Sequence, residues 1–407
     1  MNPDLKKLQP YPFQKISTLL DGITPVDKPM LSLAIGEPKH PTPQIILDAL
    51  QSNLAGFSNY PLTKGNDELR EVISDWLTRR FKLPQGSLNP HKHVLPVNGT
   101  REALFAFAQA IINKEVTSPK ILMPNPFYQI YEGATFLSGA EPVYIPCTKE
   151  LNFNPDFDSI SDEIWDDCQL LYLCSPGNPT GAVVNEAQIK NLLRLAEKHD
   201  FIIASDECYS EIYFDEDKPP IGLLEVAAKI GNTEFKRCVV FHSLSKRSNA
   251  PGLRSGFVAG DAQILEQFLL YRTYHGCAMS PPIQAASIAA WNDEVHVLAN
   301  RDEYRKKFNA VLEILSPIMD VQKPDASFYL WAGLKAGSTI DDEIFTQEIY
   351  AQQHLKVVPG SYLSRDVNGV NPGRNRIRLA LVATLDECIE SAERIAEYLN
   401  KQYLDIT

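Results

Sequence analysis

The sequence predicts an α/β fold: a mainly parallel sheet sandwiched by helices, accompanied by a smaller α+β domain. Short apolar runs alternate with longer helical patterns through the middle of the chain, which is typical of strands joined by crossover helices. Nearly every one of these runs ends in a cluster of polar residues. In open α/β sheets the ligand crevice lies at the carboxyl ends of the strands, so we expect these clusters to surround one ligand.

The apolar runs predicted to be strands lie between residues 93 and 260 and read HVLPVNGT, ILMPNPF, CQLLYLCSPGNPTG, FIIASDECY, RCVVFHSLSK and RSGFVAG. A helix is predicted to open near Glu186 and to run through AQIKNLLRLAEKHD, because Ile189, Leu192, Leu193 and Ala196 recur at helical spacing. This helix and the strands on either side of it form one predicted βαβ unit.

A second domain is predicted from a change of pattern beyond about Pro282, where long helices precede a shorter mixed segment. We predict a large domain over residues 46–285. The small domain is predicted to combine residues 1–45 with residues 286–407.

The composition excludes several classes of protein. Of the 407 residues 44% are hydrophobic and 22% are charged, and no apolar run approaches the length of a membrane-spanning helix. The start, MNPDLKKLQPYPFQ, lacks the apolar stretch of a signal peptide, so a cytoplasmic location is expected. A net charge of −12 disfavours binding to nucleic acid or to an anionic membrane, so any phosphate requires a local site.

The cysteines argue against both a disulfide framework and a zinc site. There are seven of them, an odd number, and they are scattered without a CxxC pair. No metal site is therefore predicted.

The segment SLSKRSNAPGLR places Lys246, the hydroxyls of Ser243 and Ser245, and Arg254 at the end of a predicted strand. Partial desolvation of Lys246 at the strand end would lower its pKa and make it a nucleophile toward an aldehyde, although a lone lysine there is usually a solvated loop residue. Ser243, Ser245 and Arg254 supply the donors that a dianionic phosphate monoester needs.

A second candidate phosphate element is NGTREALFAF, in which Gly99 and Thr100 stand at the predicted start of a helix. The free amides and the positive dipole end of a helix attract anions, although an ordinary threonine cap would leave the same pattern. The two elements together favour one phosphorylated cofactor.

The remaining strand ends supply groups that suit pyridoxal phosphate. That cofactor needs an acid at its ring nitrogen, and Asp206 ends the strand FIIASD, where it would otherwise be a helix cap or the partner of a buried cation. Tyr209 and Asn178 could hydrogen-bond the ring oxygen, and Tyr128 could stack on the ring. Alone, SPGNPTG indicates only a turn, and a strand-end tyrosine is more often part of the core.

The sequence resembles the pyridoxal-phosphate-dependent aminotransferases of classes I and II. The resemblance covers essentially the whole chain and is carried by motifs in the family's order: LAIGEP, YPLTKGNDELR, NGTREA, PNPFY, SPGNPTG, SDECY, SLSKRSNAPGLRSGF and RIRLA. It implies fold type I, in which the sheet of the large domain has seven strands. It also implies a transaminase activity that depends on pyridoxal 5'-phosphate.

The resemblance also implies roles for individual residues. Lys246 resembles the lysine that forms the Schiff base, and Arg101 of NGTREA joins the cofactor-binding set. Arg378 of RIRLA resembles the arginine that binds the substrate α-carboxylate, in preference to the nearby Arg376. Gly36 resembles the position whose backbone closes over the substrate.

Tyr60 resembles the tyrosine that reaches the cofactor phosphate of the neighbouring subunit. A homodimer with shared active sites is therefore expected.

Within the family, LQPYPFQKISTLL, YHGCAMSPPIQAAS and PDASFYLWAGL look most like bacterial succinyldiaminopimelate aminotransferases. This likeness implies exchange of an amino group between N-succinyl-LL-2,6-diaminopimelate and 2-oxoglutarate. The chain reads Ala326 and Ser327 where the family often has glycine. The candidate cations for a distal carboxylate of a long substrate are Lys39, Lys64, Arg365 and Arg374.

Other functions stay open at this point. An aminotransferase for aspartate, aromatic or branched amino acids, or a carbon–sulfur β-lyase, would use the same cofactor. A non-catalytic regulator with this fold would carry an added basic DNA-binding domain, whereas the first motif here begins by about residue 33. A plain nucleotide-binding protein would need a fitting GxGxxG or Walker loop, and none is found.

Overall fold

The computed structural model describes residues 1–335 and 340–404. Its strands, in chain order, are β1 (Leu31–Ser32), β2 (Val94–Val97), β3 (Lys120–Asn125), β4 (Glu141–Pro146), β5 (Cys168–Cys174), β6 (Ile202–Asp206), β7 (Cys238–Ser243), β8 (Gly256–Gly260), β9 (Tyr329–Gly333), β10 (Leu355–Lys356), β11 (Val358–Pro359) and β12 (Arg376–Ala380).

The α-helices, in the same order, are α1 (Pro12–Leu19), α2 (Gln44–Ser52), α3 (Asp67–Arg80), α4 (Pro90–His93), α5 (Thr100–Ile111), α6 (Ile130–Ser138), α7 (Asp162–Asp166), α8 (Glu186–His199), α9 (Leu223–Lys229), α10 (Leu244–Arg247), α11 (Ala262–His275), α12 (Pro281–Asn292), α13 (Val295–Leu315), α14 (Asp342–Gln353) and α15 (Leu385–Leu404).

The largest sheet has seven strands in the order β2-β8-β7-β6-β5-β3-β4. Strand β8 runs antiparallel to both of its neighbours, and every other neighbouring pair is parallel. The prediction of a mainly parallel α/β sheet is confirmed. The edge strand β4 was not predicted, because most of its residues are only half-buried and lack the continuous apolar run of a central strand.

Alternate residues of the central strands enter two separate cores, one on each face of this sheet. In β5, Leu171 and Leu173 pack into one core, whereas Leu170 and Tyr172 pack into the other. The predicted βαβ unit is β5-α8-β6, in which the apolar residues of α8 are buried. Burial of both faces explains why these strands read as unbroken apolar runs.

A smaller antiparallel sheet, in the order β11-β12-β9, lies in the C-terminal part of the chain. Strand β1 pairs in parallel with β10, which joins the N-terminal segment to the C-terminal part. A third core, containing Leu33, Phe308 and Leu379, packs on this region.

The predicted domain limits meet two helices. The limit at residues 45 and 46 falls inside α2, and the limit at residues 285 and 286 falls inside α12. Helix α12 packs against both α2 and α3, which precede the large sheet in the chain. The division into domains stays a prediction.

Among the helices of the described residues, none combines the length and the apolar character needed to cross a membrane.

The parallel strands bring their polar ends to one edge of the large sheet. Asp206 is the last residue of β6, and Ser243 is the last residue of β7. Gly99 precedes α5 with a φ of +90°, a conformation that favours glycine, so that the free amides of Thr100 and the next residues face the same edge.

Candidate active site

A cavity of about 530 Å³ opens at the carboxyl ends of the parallel strands. The predicted site residues that line it are Gly36, Thr100, Arg101, Tyr128, Asn178, Asp206, Tyr209, Ser243, Ser245, Lys246, Arg254 and Arg378. The structure therefore brings together residues that are widely separated in the chain. Of the predicted set, Gly99 lies directly behind the lining and Tyr60 lies away from it.

Lys246 projects its amine into this cavity from the short helix α10. Its Nζ donates a hydrogen bond of 2.5 Å to the carbonyl oxygen of Gly36 and lies 5.2 Å from the centre of the Phe328 ring. Burial lowers the pKa of Lys246 to about 8, because desolvation disfavours the charged amine. A lysine with this pKa is neutral, and so nucleophilic, at mildly alkaline pH.

Asp206 is a buried acid at the floor of the cavity, with 4% of its surface exposed. Its Oδ2 accepts a hydrogen bond of 2.7 Å from the hydroxyl of Tyr131, and its Oδ1 accepts one of 3.3 Å from the amide of Cys208. Burial raises the pKa of Asp206, against these hydrogen bonds. Within residues 1–335 and 340–404 no cation pairs with this carboxylate, so a bound cationic group would compensate its charge.

The donors predicted to bind a phosphate lie at one side of the cavity. The Ser243 hydroxyl lies 2.9 Å from that of Ser245 and accepts a hydrogen bond of 3.1 Å from the Ser245 amide. A Cβ atom at Gly99 would stand 2.3 Å from Nη2 of Arg254, so glycine leaves the space that the guanidinium occupies. Thr100 begins α5, whose unpaired amides add further donors.

Gly36 closes the cavity from the N-terminal side. A Cβ atom at this position would lie 2.1 Å from the hydroxyl oxygen of Tyr329, so a side chain is excluded. The Tyr329 hydroxyl is 3.2 Å from that of Tyr209, whose pKa burial raises well above its usual value. Tyr209 therefore presents a protonated hydroxyl to the cavity.

Arg378 is a buried guanidinium from strand β12, with 5% of its surface exposed. Its Nη1 donates to Oδ1 of Asn178 at 3.2 Å, and its Nη2 donates to the Ala34 carbonyl at 2.7 Å. Its Nε has no hydrogen-bond partner, and no carboxylate of the described chain lies within 4.0 Å of the guanidinium. An external carboxylate suits this group.

Arg376, two residues earlier on the same strand, is already paired. Its Nη2 donates to Asp320 at 3.1 Å, and its guanidinium lies over the ring of Phe153. It does not line the cavity.

Tyr128 and Arg101 form a linked pair at the mouth of the cavity. Nε of Arg101 donates to the Tyr128 hydroxyl at 2.7 Å, and Nη2 lies 3.4 Å from the Tyr11 hydroxyl. The ring of Tyr128 packs edge-on against that of Tyr131, so its orientation is held from below.

Several residues of the site were not predicted from the sequence. Tyr131 holds Asp206, and the Cys208 sulfur lies 3.0 Å from the Thr100 hydroxyl. Tyr329 and the N-terminal Tyr11 also line the cavity. Tyr131 lies on helix α6 and Tyr128 precedes that helix, so no local pattern signalled the contact of Tyr131 with Asp206. Tyr11 is placed only by the folding of the N-terminal segment.

The candidate cations for a distal carboxylate do not line this cavity. Lys39 lies 3.5 Å from Glu37, Lys64 lies 4.0 Å from Asp67, and Arg365 pairs with Glu132. Arg374 is exposed.

Ala326 and Ser327 are fully buried beside strand β9 and do not line the cavity either. Ser327 has a φ of +75°, a conformation that a glycine would adopt without strain.

One group outside the cavity has metal-ligating atoms close together: Glu102, His275 and Cys277, all within 4.8 Å of one another. The fully buried Arg272 already donates to Glu102 at 2.5 Å and neutralises its charge.

Comparison with known proteins gives the family of the chain. The model of the aminotransferase class I and II family matches residues 28–395. The chain belongs to this family. The predicted family, its fold type I and its cofactor, pyridoxal phosphate, are thereby confirmed, and the chain is a transaminase.

Individual relatives cover nearly the whole chain. A solved aminotransferase from Neisseria meningitidis Z2491 is 48% identical with a TM-score of 0.93, and covers 98% of this chain and 100% of its own. Aminotransferase AspB from Helicobacter pylori 26695 is 37% identical with a TM-score of 0.88, over 97% of this chain and 99% of its own. An LL-diaminopimelate aminotransferase from Maridesulfovibrio salexigens is 31% identical over 97% of both chains.

The residues of the cavity fit pyridoxal phosphate. The uncompensated acid Asp206 suits a protonated ring nitrogen, and the space that Gly99 leaves for Arg254 suits a phosphate beside Ser243 and Ser245. The amine of Lys246, with its lowered pKa, suits an aldehyde.

Replacing Lys246 by Ala is expected to abolish transamination, with kcat reduced by at least about 10²- to 10⁴-fold, because both the nucleophile and the proton carrier are lost. Lys236→Ala, at an exposed lysine away from the cavity, is the matched control. Initial rates with 2-oxoglutarate as acceptor measure the effect, and wild-type turnover in Lys246→Ala would refute the assignment.

Capture of pyridoxal phosphate by the cofactor-free chain is expected to accelerate as the pH rises through about 8, the pKa of Lys246. The lysine reacts only when neutral, and its pKa is lowered, so the reactive fraction rises with pH and levels off above that value. Stopped-flow absorbance measures the rate. A midpoint near the ordinary lysine value, about 10.4, would contradict a desolvated amine.

Arg378→Lys is expected to lower kcat/KM for amino donors by about 10- to 100-fold, since lysine cannot bind a carboxylate through two parallel hydrogen bonds. Arg376→Lys, on the same strand but paired with Asp320, is the matched control and should change kcat/KM far less. An equal decrease of kcat/KM in the two variants would argue that Arg378 stabilises strand β12 and does not bind the substrate.

Proposed function

We propose that this transaminase exchanges an amino group between N-succinyl-LL-2,6-diaminopimelate and 2-oxoglutarate, in a route that supplies diaminopimelate and lysine. The observation that carries the reaction type is that Lys246 and Arg378 line one cavity with Asp206, each without an opposite charge within 4.0 Å in the described residues. The amine of Lys246 suits an aldehyde, the guanidinium of Arg378 suits a substrate carboxylate, and the carboxylate of Asp206 suits a ring cation.

The roles proposed for the residues follow from their positions. When bound, the cofactor supplies an aldehyde and a ring that withdraws electrons from the substrate carbon. Asp206 would keep the ring nitrogen protonated, and Tyr209 and Asn178 would hydrogen-bond the ring oxygen. Tyr128 would cover the face of the ring.

The proposed phosphate ligands are Gly99, Thr100, Arg101, Ser243, Ser245 and Arg254. Gly99, Thr100, Ser243 and Ser245 would donate hydrogen bonds to the phosphate from backbone amides and hydroxyls. Arg101 and Arg254 would supply positive charge.

Lys246 would move the proton in each half of the reaction. Its Nζ would take the proton from the substrate α-carbon and would return a proton later in the same half of the reaction. Arg378 would hold the α-carboxylate so that the α-hydrogen faces Nζ. The backbone of Gly36, which now accepts from Nζ, would then close over the substrate.

The diaminopimelate skeleton is supported by the curated relatives, several of which are LL-diaminopimelate aminotransferases at 29–31% identity. LL-diaminopimelate itself is therefore the second candidate donor. The cavity supports the succinylated form, because its acids are Asp206 and Glu37, and Glu37 lies 3.5 Å from Lys39. A free distal ammonium would need an acid of its own, whereas succinylation removes that charge.

We further propose a homodimer in which Tyr60 binds the cofactor phosphate of the neighbouring subunit. Its side chain is fully exposed, and Phe57 and Leu62 beside it are exposed as well, which favours burial against a partner. A solution mass of one chain would contradict this. We also propose a cytoplasmic location, which the seven free cysteines support.

A donor screen tests the substrate. Purified protein with added pyridoxal phosphate and 2-oxoglutarate is expected to turn over N-succinyl-LL-2,6-diaminopimelate with the highest kcat/KM, ahead of LL-diaminopimelate, aspartate, aromatic and branched amino acids. Preference for LL-diaminopimelate would select the second candidate. Strong activity on aspartate without either diaminopimelate would refute both, and release of pyruvate from cysteine conjugates would indicate a β-lyase.

A further inference from the structure

A second cavity of about 200 Å³ adjoins the active-site cavity. The two share Tyr11, Pro12 and Gln129 along their common edge. The second cavity lies between the N-terminal segment, helices α5 and α6, and the chain around residues 362–365. The reaction described above has no use for it.

Much of the lining of this second cavity is apolar and could contact methylene groups. The apolar side chains come from three separate parts of the chain: Leu8 and Pro10, Phe105, and Ile130. Gly133 of helix α6 also faces it, which leaves room that any larger residue would fill. An aliphatic chain fits such a surface better than a second charged group would.

Two cations, Lys15 and Arg365, and one acid, Glu132, also line the cavity. Nε and Nη2 of Arg365 donate to the two oxygens of Glu132 at 2.8 and 2.6 Å. The hydroxyl of Tyr144 adds a third hydrogen bond to Glu132, at 2.5 Å. Arg365 and Glu132 thus neutralise each other, which explains why Arg365 is not a free cation for substrate.

Lys15 is left without such a partner. Its amine lies 5.6 Å from the centre of the Tyr362 ring, and across the described part of the chain no carboxylate comes within 4.0 Å of it. Burial, reinforced by the charge of Arg365, lowers the pKa of Lys15 against the weaker opposing charges of Glu132 and Glu343. The opposite charge of an anion in the cavity would offset these effects and would raise that pKa, so its binding is favoured by charge.

We propose that this second cavity is the subsite for the distal end of a long amino donor, with Lys15 binding a terminal carboxylate and the apolar lining contacting the chain that leads to it. The proposal rests on the proposed function for the choice of donor, and it names a specificity residue that the sequence did not reveal. The lining has one cation without a carboxylate within 4.0 Å, so it would bind one of the two distal carboxylates of N-succinyl-LL-2,6-diaminopimelate.

The test compares donors that differ only at the distal end: 2-aminopimelate, which ends in a carboxylate, and 2-aminoheptanoate, which has the same carbon chain and ends in a methyl group. Single-turnover absorbance of the holoenzyme measures each donor without an acceptor. Lys15→Met should lower the second-order rate constant for 2-aminopimelate by about 10- to 100-fold and leave that for 2-aminoheptanoate nearly unchanged. Lys15→Arg should retain most of the rate, and Lys6→Met, at an exposed lysine of the same segment, is the control.

A second variant tests the space and not the charge. Gly133→Leu keeps helix α6, because a Cβ atom there makes only an ordinary contact of 3.7 Å with Leu8, and its larger side chain fills the cavity. Both seven-carbon donors should then slow, whereas alanine should react at the wild-type rate. If Lys15→Met does not fold, the rates of Gly133→Leu still test whether the second cavity binds the distal part of the donor.

The outcomes separate this proposal from the proposed function. If the wild type does not distinguish the matched donors, or if Lys15→Met slows both equally, the subsite is refuted while diaminopimelate activity can stand. If Lys15 governs 2-aminopimelate but the wild type rejects both forms of diaminopimelate, the subsite stands and the proposed substrate is wrong. Unchanged rates for long donors in Gly133→Leu would also refute the subsite.

Discussion

Strands β5, β6 and β7 pair in parallel, and this pairing determines where Asp206 and Lys246 lie. Because the three strands end at the same edge, Asp206 and Ser243 both line the cavity there although 36 residues lie between them in the chain. The loop after β5 carries Asn178 to the same place, and helix α10 after β7 carries Lys246. A slip of one residue in any of these strands would turn its buried side chains to the opposite face. The two cores, one on each face of the sheet, therefore hold the register on which the site depends.

The site keeps several charges buried and without an opposite charge beside them. An unpaired buried charge destabilises a fold, so such groups persist only where the surrounding packing supports them. Asp206 is supported by Tyr131, whose ring stacks on Tyr172 at 4.7 Å in the core beneath the cavity. Desolvation that disfavours folding is the same effect that lowers the pKa of Lys246. The nucleophilic reactivity of Lys246 and the cost of its burial to the stability of the fold thus have the same cause, which is desolvation.

Much of the fold and of the site could be predicted because its residues carry local signals. The buried strands are recognisable in the sequence as apolar runs, and Gly99, Asp206 and Lys246 lie at or just after the ends of these runs. The edge strand β4 has no such run, so it was missed. The predicted domain limits fall inside helices α2 and α12, and the division into domains stays a prediction.

By itself, the sequence determined the class of fold, the family and the set of groups that the cofactor requires, because these depend on short motifs and on the periodicity of apolar residues. Only the tertiary structure decided which cationic side chains are paired with a carboxylate and which are not. Lys15 and Arg365 look alike in the sequence, yet Arg365 pairs with Glu132, 233 residues earlier in the chain, while no described carboxylate lies within 4.0 Å of Lys15 in the same cavity. The state of a charged side chain depends on its neighbours in space and on its exposure to water, and neither is encoded locally.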